Sequence, residues 1–257
     1  MKKRILPIIA LALSATACVS DADLDVADNK GYINVSVSAD NSMETRAVQT
    51  VSDFSGWTIR ARKTEESNDI MWSSEKAFAA GVYTVKASNY PNEAESYTAN
   101  SNWGAAYYYG SASGITVTAG GTAQASIDCG KASNARMQVT ITETTDILTN
   151  VSLEAKNEAK DRTLTFTAST NNDFAYFKAN ETVSYTLKYT YKQESEQKTK
   201  SGTIDMKGPA TTNIISVSAN SSGLINVTIK YDDEFGTGNS STITIDAATG
   251  NEVNSQE

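Results

Sequence analysis

The sequence contains no histidine. That removes the usual general base near neutral pH, the Ser-His and Cys-His nucleophile pairs, and imidazole metal ligands. Catalysis by carboxylates alone would need two of them facing each other across a cleft, and nothing in the sequence sets up such a pair. A non-enzyme without cofactor or metal is the expectation. Cysteine is scarce too, with Cys18 and Cys129 the only two. Positive charge is in short supply: 22 Lys and Arg stand against 30 Asp and Glu, for a net charge of −8 and a pI near 4.7. The first 17 residues hold three of the cations and no acid, so the remainder is three units more negative, at −11. Such a chain is a poor partner for nucleic acid, whose phosphates call for clustered Lys and Arg. Anionic lipid surfaces should repel it as well, so any membrane attachment has to come from acyl chains.

The one long apolar run lies at residues 5–13, broken only by Pro7, and is too short for a permanent membrane span. Lys2, Lys3 and Arg4 precede it, and the small residues Ser14, Ala15, Thr16 and Ala17 lead from it to Cys18. This is the order of a secretory signal. A cysteine in that place resembles the lipobox of bacterial lipoproteins. The resemblance implies cleavage before Cys18, acylation of its sulfur and new amine, and a signal peptide of residues 1–17. Residues 18–30 are polar and carry Asp21, Asp23, Asp25 and Asp28, which reads as an acidic tether. Beside an acylated cysteine it resembles the export signal of Bacteroidetes-type lipoproteins. That implies a chain anchored in the outer membrane and facing the cell exterior.

From Gly31 onward the apolar residues recur with a period of two, as in strands with one buried face. Ile33, Val35 and Val37 alternate with polar residues, as do Trp57, Ile59 and Ala61, then Tyr83, Val85 and Ala87 after Gly81. Ile115 and Val117 precede the Gly120-Gly121 turn, and Ala123, Ala125, Ile127 and Cys129 share one face beyond it. Cys129 thus reads as a small inward-facing apolar residue without a disulfide partner. After a polar break at residues 131–134 the pattern resumes through Met137, Val139 and Ile141, then Val151, Leu153 and Ala155, then Leu164 and Phe166. Its longest run is Val183, Tyr185, Leu187, Tyr189 and Tyr191, followed by strands around Ile204, Val217, Val227 and Ile243. Short strands with regular turns predict an all-β fold of two tandem sandwiches, at 31–131 and 132–257. Only residues 154–162 have a helix-compatible composition, and without an apolar stripe they are expected to form a loop or at most one helical turn.

Several strings in fixed order carry a family resemblance. They are GYINVSVSAD at 31–40, TRA at 45–47, FSGWTI at 54–59, AAGVYTVKA at 79–87, YYYGS at 107–111, ITVTAG at 115–120 and CGKASNARMQV at 129–139. Together they resemble a Bacteroidetes lipoprotein family catalogued as a domain of unknown function and similar to the fimbrillin-like proteins. The resemblance implies two transthyretin-like β-sandwiches, a role in cell adhesion or fimbria assembly, and other fimbrial subunits as partners. It implies no catalytic residue. Fimbrillin-like subunits have a first strand followed by an arginine at which an outside protease cuts. Carried onto this sequence, the resemblance implies a cut between Arg46 and Ala47 with residues 32–38 as the leaving strand, against the alternative that Arg46 is a charged loop residue and the strand stays in place.

Two further groups bear on ligands. Trp103, Tyr107, Tyr108 and Tyr109 are candidates for sugar stacking, against the alternative that they pack in the core or across strands. They motivate a second functional reading, a glycan-binding surface lipoprotein of a polysaccharide-uptake system. Asp232, Asp233 and Glu234 supply oxygen ligands for a hard cation, but in no recognised spacing. A solvated acidic turn is expected there.

Overall fold

The structure, a computed structural model, describes residues 29–40, 48–51, 56–142, 147–159, 161–219, 224–232 and 240–246. The chain is all-β, built from sandwich-like units. In the first half the strands are β1 (Lys30–Asp40), β2 (Val48–Val51), β3 (Thr58–Lys63), β4 (Ile70–Met71), β5 (Phe78–Ala79), β6 (Gly81–Ser88), β7 (Tyr109–Val117) and β8 (Thr122–Asp128). One sheet centres on β1, with β8 on one edge and β2 and β5 on the other. The facing sheet runs β4-β3-β6-β7. Ile33, Val35, Val37, Ile59, Ala61, Val85, Ala125 and Ile127 fill the space between them. The period of two in the sequence is therefore the inside-outside alternation of these strands.

The second half comprises β9 (Ala135–Ile141), β10 (Leu148–Lys156), β11 (Thr163–Phe166), β12 (Phe174–Phe177), β13 (Thr182–Tyr191), β14 (Gln197–Asp205), β15 (Thr212–Ala219), β16 (Leu224–Asp232) and β17 (Ser240–Asp246). Its sheets run β11-β10-β13-β14 and β12-β9-β15-β16-β17 around a second core that includes Met137, Leu153, Phe166, Leu187, Tyr189 and Ile215. The halves share a wiring feature hidden from sequence comparison. In each, the opening strand runs parallel to a late one, β1 with β8 and β9 with β15, while its other neighbours are antiparallel.

Three stretches differ from the sequence expectation. A short helix, α1 (Glu93–Thr98), forms behind Pro91, where the Asn92 side chain caps the Glu95 N–H at 3.0 Å and Glu93 and Glu95 suit the positive helix end. Six residues are too few to show an apolar period. Residues 154–156, expected in a loop, finish β10, and Ala155 is fully buried between Leu164 and Tyr185. The polar stretch at 131–134 is not simply solvated, because Asn134 is fully buried and hydrogen-bonded.

Candidate functional site

β1 is held along both of its edges. From Tyr32 to Ser38 it pairs in parallel with Thr122 to Asp128 of β8. Bonds from Tyr32 N–H to Gly121 O and from Cys129 N–H to Ser38 O, both 2.8 Å, close the two ends. On its other edge, β5 covers Lys30 and Gly31, β2 covers Val37 to Asp40, and Trp72 Nε1 donates to Ile33 O at 2.8 Å between them. Ile33, Val35 and Val37 are 2%, 6% and 1% exposed. At about 1.5–3 kcal/mol per buried side chain, these three contribute about 5–9 kcal/mol. That is comparable with the whole stability of an ordinary domain, about 5–15 kcal/mol.

The outward positions of β1 are specified too. Asn34 donates to Gln124 at 3.0 Å, Ser36 to Ser126 at 3.2 Å and Ser38 to Asp128 at 3.3 Å, giving a polar ladder across the parallel pair. A one-residue slip would drive this polar set into the core. Gly31 fits where no side chain could, since a Cβ there would sit 2.3 Å from Thr118 O and 2.6 Å from Gly121 O. The seat of β1 therefore reads a pattern of glycine, then alternating apolar and small polar residues.

The predicted aromatic cluster divides. Trp103 leaves the first half and packs on the second core, its ring edge-to-face with Phe166 at 5.0 Å. Tyr108 is buried in the first core, and Tyr107 is buried with its N–H bonded to Asn134 Oδ1 at 3.0 Å. Only Tyr109 stands open, 46% exposed. The exchange between the halves is reciprocal, because Tyr176 of β12 is part of the first core and its N–H bonds Trp103 O at 2.8 Å. Asn134 pins the same seam through Nδ2 to Ala105 O at 2.8 Å.

Arg162 closes this seam and had no signal in the sequence beyond its charge. Its guanidinium donates to Tyr97 O at 3.0 Å, to Asn102 O at 3.5 Å and to Tyr176 O, and lies over the rings of Phe177 and Tyr97. Burial lowers its pKa, opposed by the nearby Glu181 carboxylate. That carboxylate is itself engaged by the N–H groups of Lys178 at 2.8 Å and Glu158 at 3.3 Å. The Tyr97 hydroxyl is raised well above its usual pKa, first by burial and then by donating to Glu93 at 2.6 Å. The arrangement joins segments and presents no reactive pair.

Cys129 faces inward at 4% exposure, and burial lifts its thiol pKa from 9.0 to about 11, with Asp128 adding to the shift. The unfolded chain therefore gives up this proton first. The thiol stabilises the fold in full below about pH 9, and that contribution is lost as pH climbs through about 11. Iodoacetamide at pH 8 is expected to leave Cys129 unmodified in the native chain while labelling it fully in denaturant. Equal labelling rates in the two states would contradict the buried placement.

Cys18, Arg46 and Ala47 lie outside the described residues, as do Asp233 and Glu234. Among the described residues no group of three Cys, Asp or Glu side chains could hold a metal ion, and no helix is long and apolar enough to cross a membrane.

The family described as a domain of unknown function (DUF4493) matches residues 29–256. No curated protein sequence matches the chain. Among solved structures, it is similar to a protein provisionally assigned to cell adhesion from Bacteroides fragilis, at 12% identity, covering 79% of this chain and 98% of the other with a TM-score of 0.34. A fimbrial assembly protein from Parabacteroides distasonis overlaps at 9% identity, 87% and 98% coverage and a TM-score of 0.34. A C-terminal fragment of a pilus adhesin from Lactobacillus rhamnosus overlaps at 9% identity, 82% and 96% coverage and a TM-score of 0.25. All three overlaps are loose, and these roles are those of the proteins named.

Proposed function

The chain belongs to the family described as a domain of unknown function (DUF4493), and on that footing we propose that it is a non-catalytic surface lipoprotein acting in cell adhesion or fimbria assembly. The observation that carries this reading is the seat of β1. It is the first described strand, central in its sheet, with four buried apolar side chains and a polar ladder. It joins β2 through residues 41–47, the stretch that contains Arg46. A cut after Arg46 leaves β1 held by noncovalent contacts alone. Once it departs, the β8 ladder and the apolar seat stand open, and unpaired backbone groups are costly to leave buried. A strand from another subunit with the same alternation refills the seat, its backbone supplying affinity and its alternate side chains specificity.

In this reading the acyl chains on Cys18 deliver the precursor to the outer face of the outer membrane. The cut then separates the folded body from its anchor, so the product suits a filament shaft. Arg46→Ala is expected to leave a lipid-anchored chain that retains β1 and is absent from filaments sheared from cells. Finding the Arg46→Ala chain in filaments at the wild-type level would overturn the proposal.

A further inference from the structure

The two sheets of the first sandwich present very different outer faces. The β1–β8 face hydrogen-bonds to itself through its Asn, Ser and Gln side chains. The β3-β6-β7 face instead carries cations. Ile59, Ala61, Val85 and Ala87 point into the core, so Arg60, Arg62, Thr84 and Lys86 point out. In the sheet register Arg60 stands opposite Lys86, which stands opposite Ser111, while Arg62 stands opposite Thr84, whose hydroxyl donates to Ser113 at 3.4 Å. Arg60 and Arg62 are two residues apart on one strand, about 7 Å. Neither makes an ion pair with the described residues, whereas Lys86 has Asp69 at 3.8 Å.

One end of this face is aromatic. Tyr109 stands opposite Ser88 and is 46% exposed. Two guanidinium groups without an ion-pair partner among the described residues, beside a Lys86–Asp69 pair, are a local reversal of sign in a chain of net charge −8. The donors are spaced along a row lined by Thr84, Ser111 and Ser113, with a ring at the end on which a sugar can stack. Guanidinium forks engage carboxylates in bidentate pairs.

We propose that this face binds a linear acidic polysaccharide, with uronic carboxylates on Arg60 and Arg62 and a sugar ring against Tyr109. The exposed ring favours a glycan over an acidic peptide, which would use the cations and leave Tyr109 idle. The proposal gives the adhesive reading a ligand class and is independent of strand replacement, since β1 lies in the other sheet.

Titration of the full chain in detergent with polygalacturonate, neutral dextran and polyglutamate tests it. Polygalacturonate is expected to bind, and to weaken as salt rises from about 50 to about 500 mM. Arg60→Gln with Arg62→Gln is expected to weaken it by about tenfold or more, roughly 1.4 kcal/mol. Tyr109→Ala, which leaves every charge in place, is expected to weaken polygalacturonate by about threefold without changing polyglutamate. Lys198→Gln with Lys200→Gln, on β14 in the other half, removes the same charge and is expected to change nothing. Thermal midpoints matching wild type establish that the variants are folded. Absence of polygalacturonate binding, equal binding of dextran or polyglutamate, or an equal loss in the β14 variant would each overturn the proposal.

Discussion

Replacing Arg162 with methionine is expected to lower the unfolding free energy by about 3 kcal/mol and to loosen the seam between the two halves. Each hydrogen bond from a charged donor is worth about 1.5–3 kcal/mol, and this guanidinium makes two good ones and one long one to backbone carbonyls of separate segments. Relief from burying a charge offsets part of that loss. Arg162→Lys is expected to fall close to the methionine variant, because an ammonium cannot span three carbonyls from one fork while lying over the Phe177 ring. Urea unfolding followed by far-UV circular dichroism and by tryptophan fluorescence checks this. The wild type should give coincident transitions, and the variant should separate them, since Trp57 and Trp72 report on the first core and Trp103 on the second. A change below about 0.5 kcal/mol, the range of an ordinary surface substitution, would show that the guanidinium does not hold the seam.

The second large effect concerns β1. A chain starting at residue 47 is expected to lose the first sandwich while keeping the second, because the missing strand supplies about 5–9 kcal/mol of apolar burial and an entire ladder of backbone bonds. Adding a synthetic peptide of residues 30–40 in excess should restore the lost strand signal. A peptide with Val35→Asp should not, since that side chain enters a seat where the valine is 6% exposed. Gly31→Val should fail for a different reason, its Cβ colliding with the carbonyls of Thr118 and Gly121. Full folding of the truncated chain without peptide would contradict the central place of β1. Failure of the native peptide to rescue would limit the strand to a permanent part of the fold.

Much of the architecture could be read from the sequence because period-two alternation is a local property. Ile33, Val35 and Val37 face inward, and so do Val183, Tyr185, Leu187 and Tyr189. Cys129 was legible for the same reason. The candidate site was less so, because its parts are made by long-range pairing. Nothing local in TAQASID says that it runs beside β1 in parallel, some 90 residues away in sequence. The elements that were missed are short. The strand FAYF of β12 has only four residues and buries three of them, which erases alternation. Asn134 and Arg162 read as ordinary polar surface residues, and only the fold gives them buried carbonyl partners. In the aromatic run, the three tyrosines are neighbours in sequence yet only Tyr109 is exposed. Sequence alone cannot tell which side of a strand end is covered by a neighbouring loop.

The central claim is that β1 is a removable strand whose seat is refilled by another chain. N-terminal sequencing of this protein from filaments sheared off intact cells tests it most directly. The account predicts a start at Ala47, with residues 30–40 absent from the purified filament. A start at Cys18, in filaments that contain the chain, would contradict it, because β1 would then still occupy the seat that an incoming strand must fill.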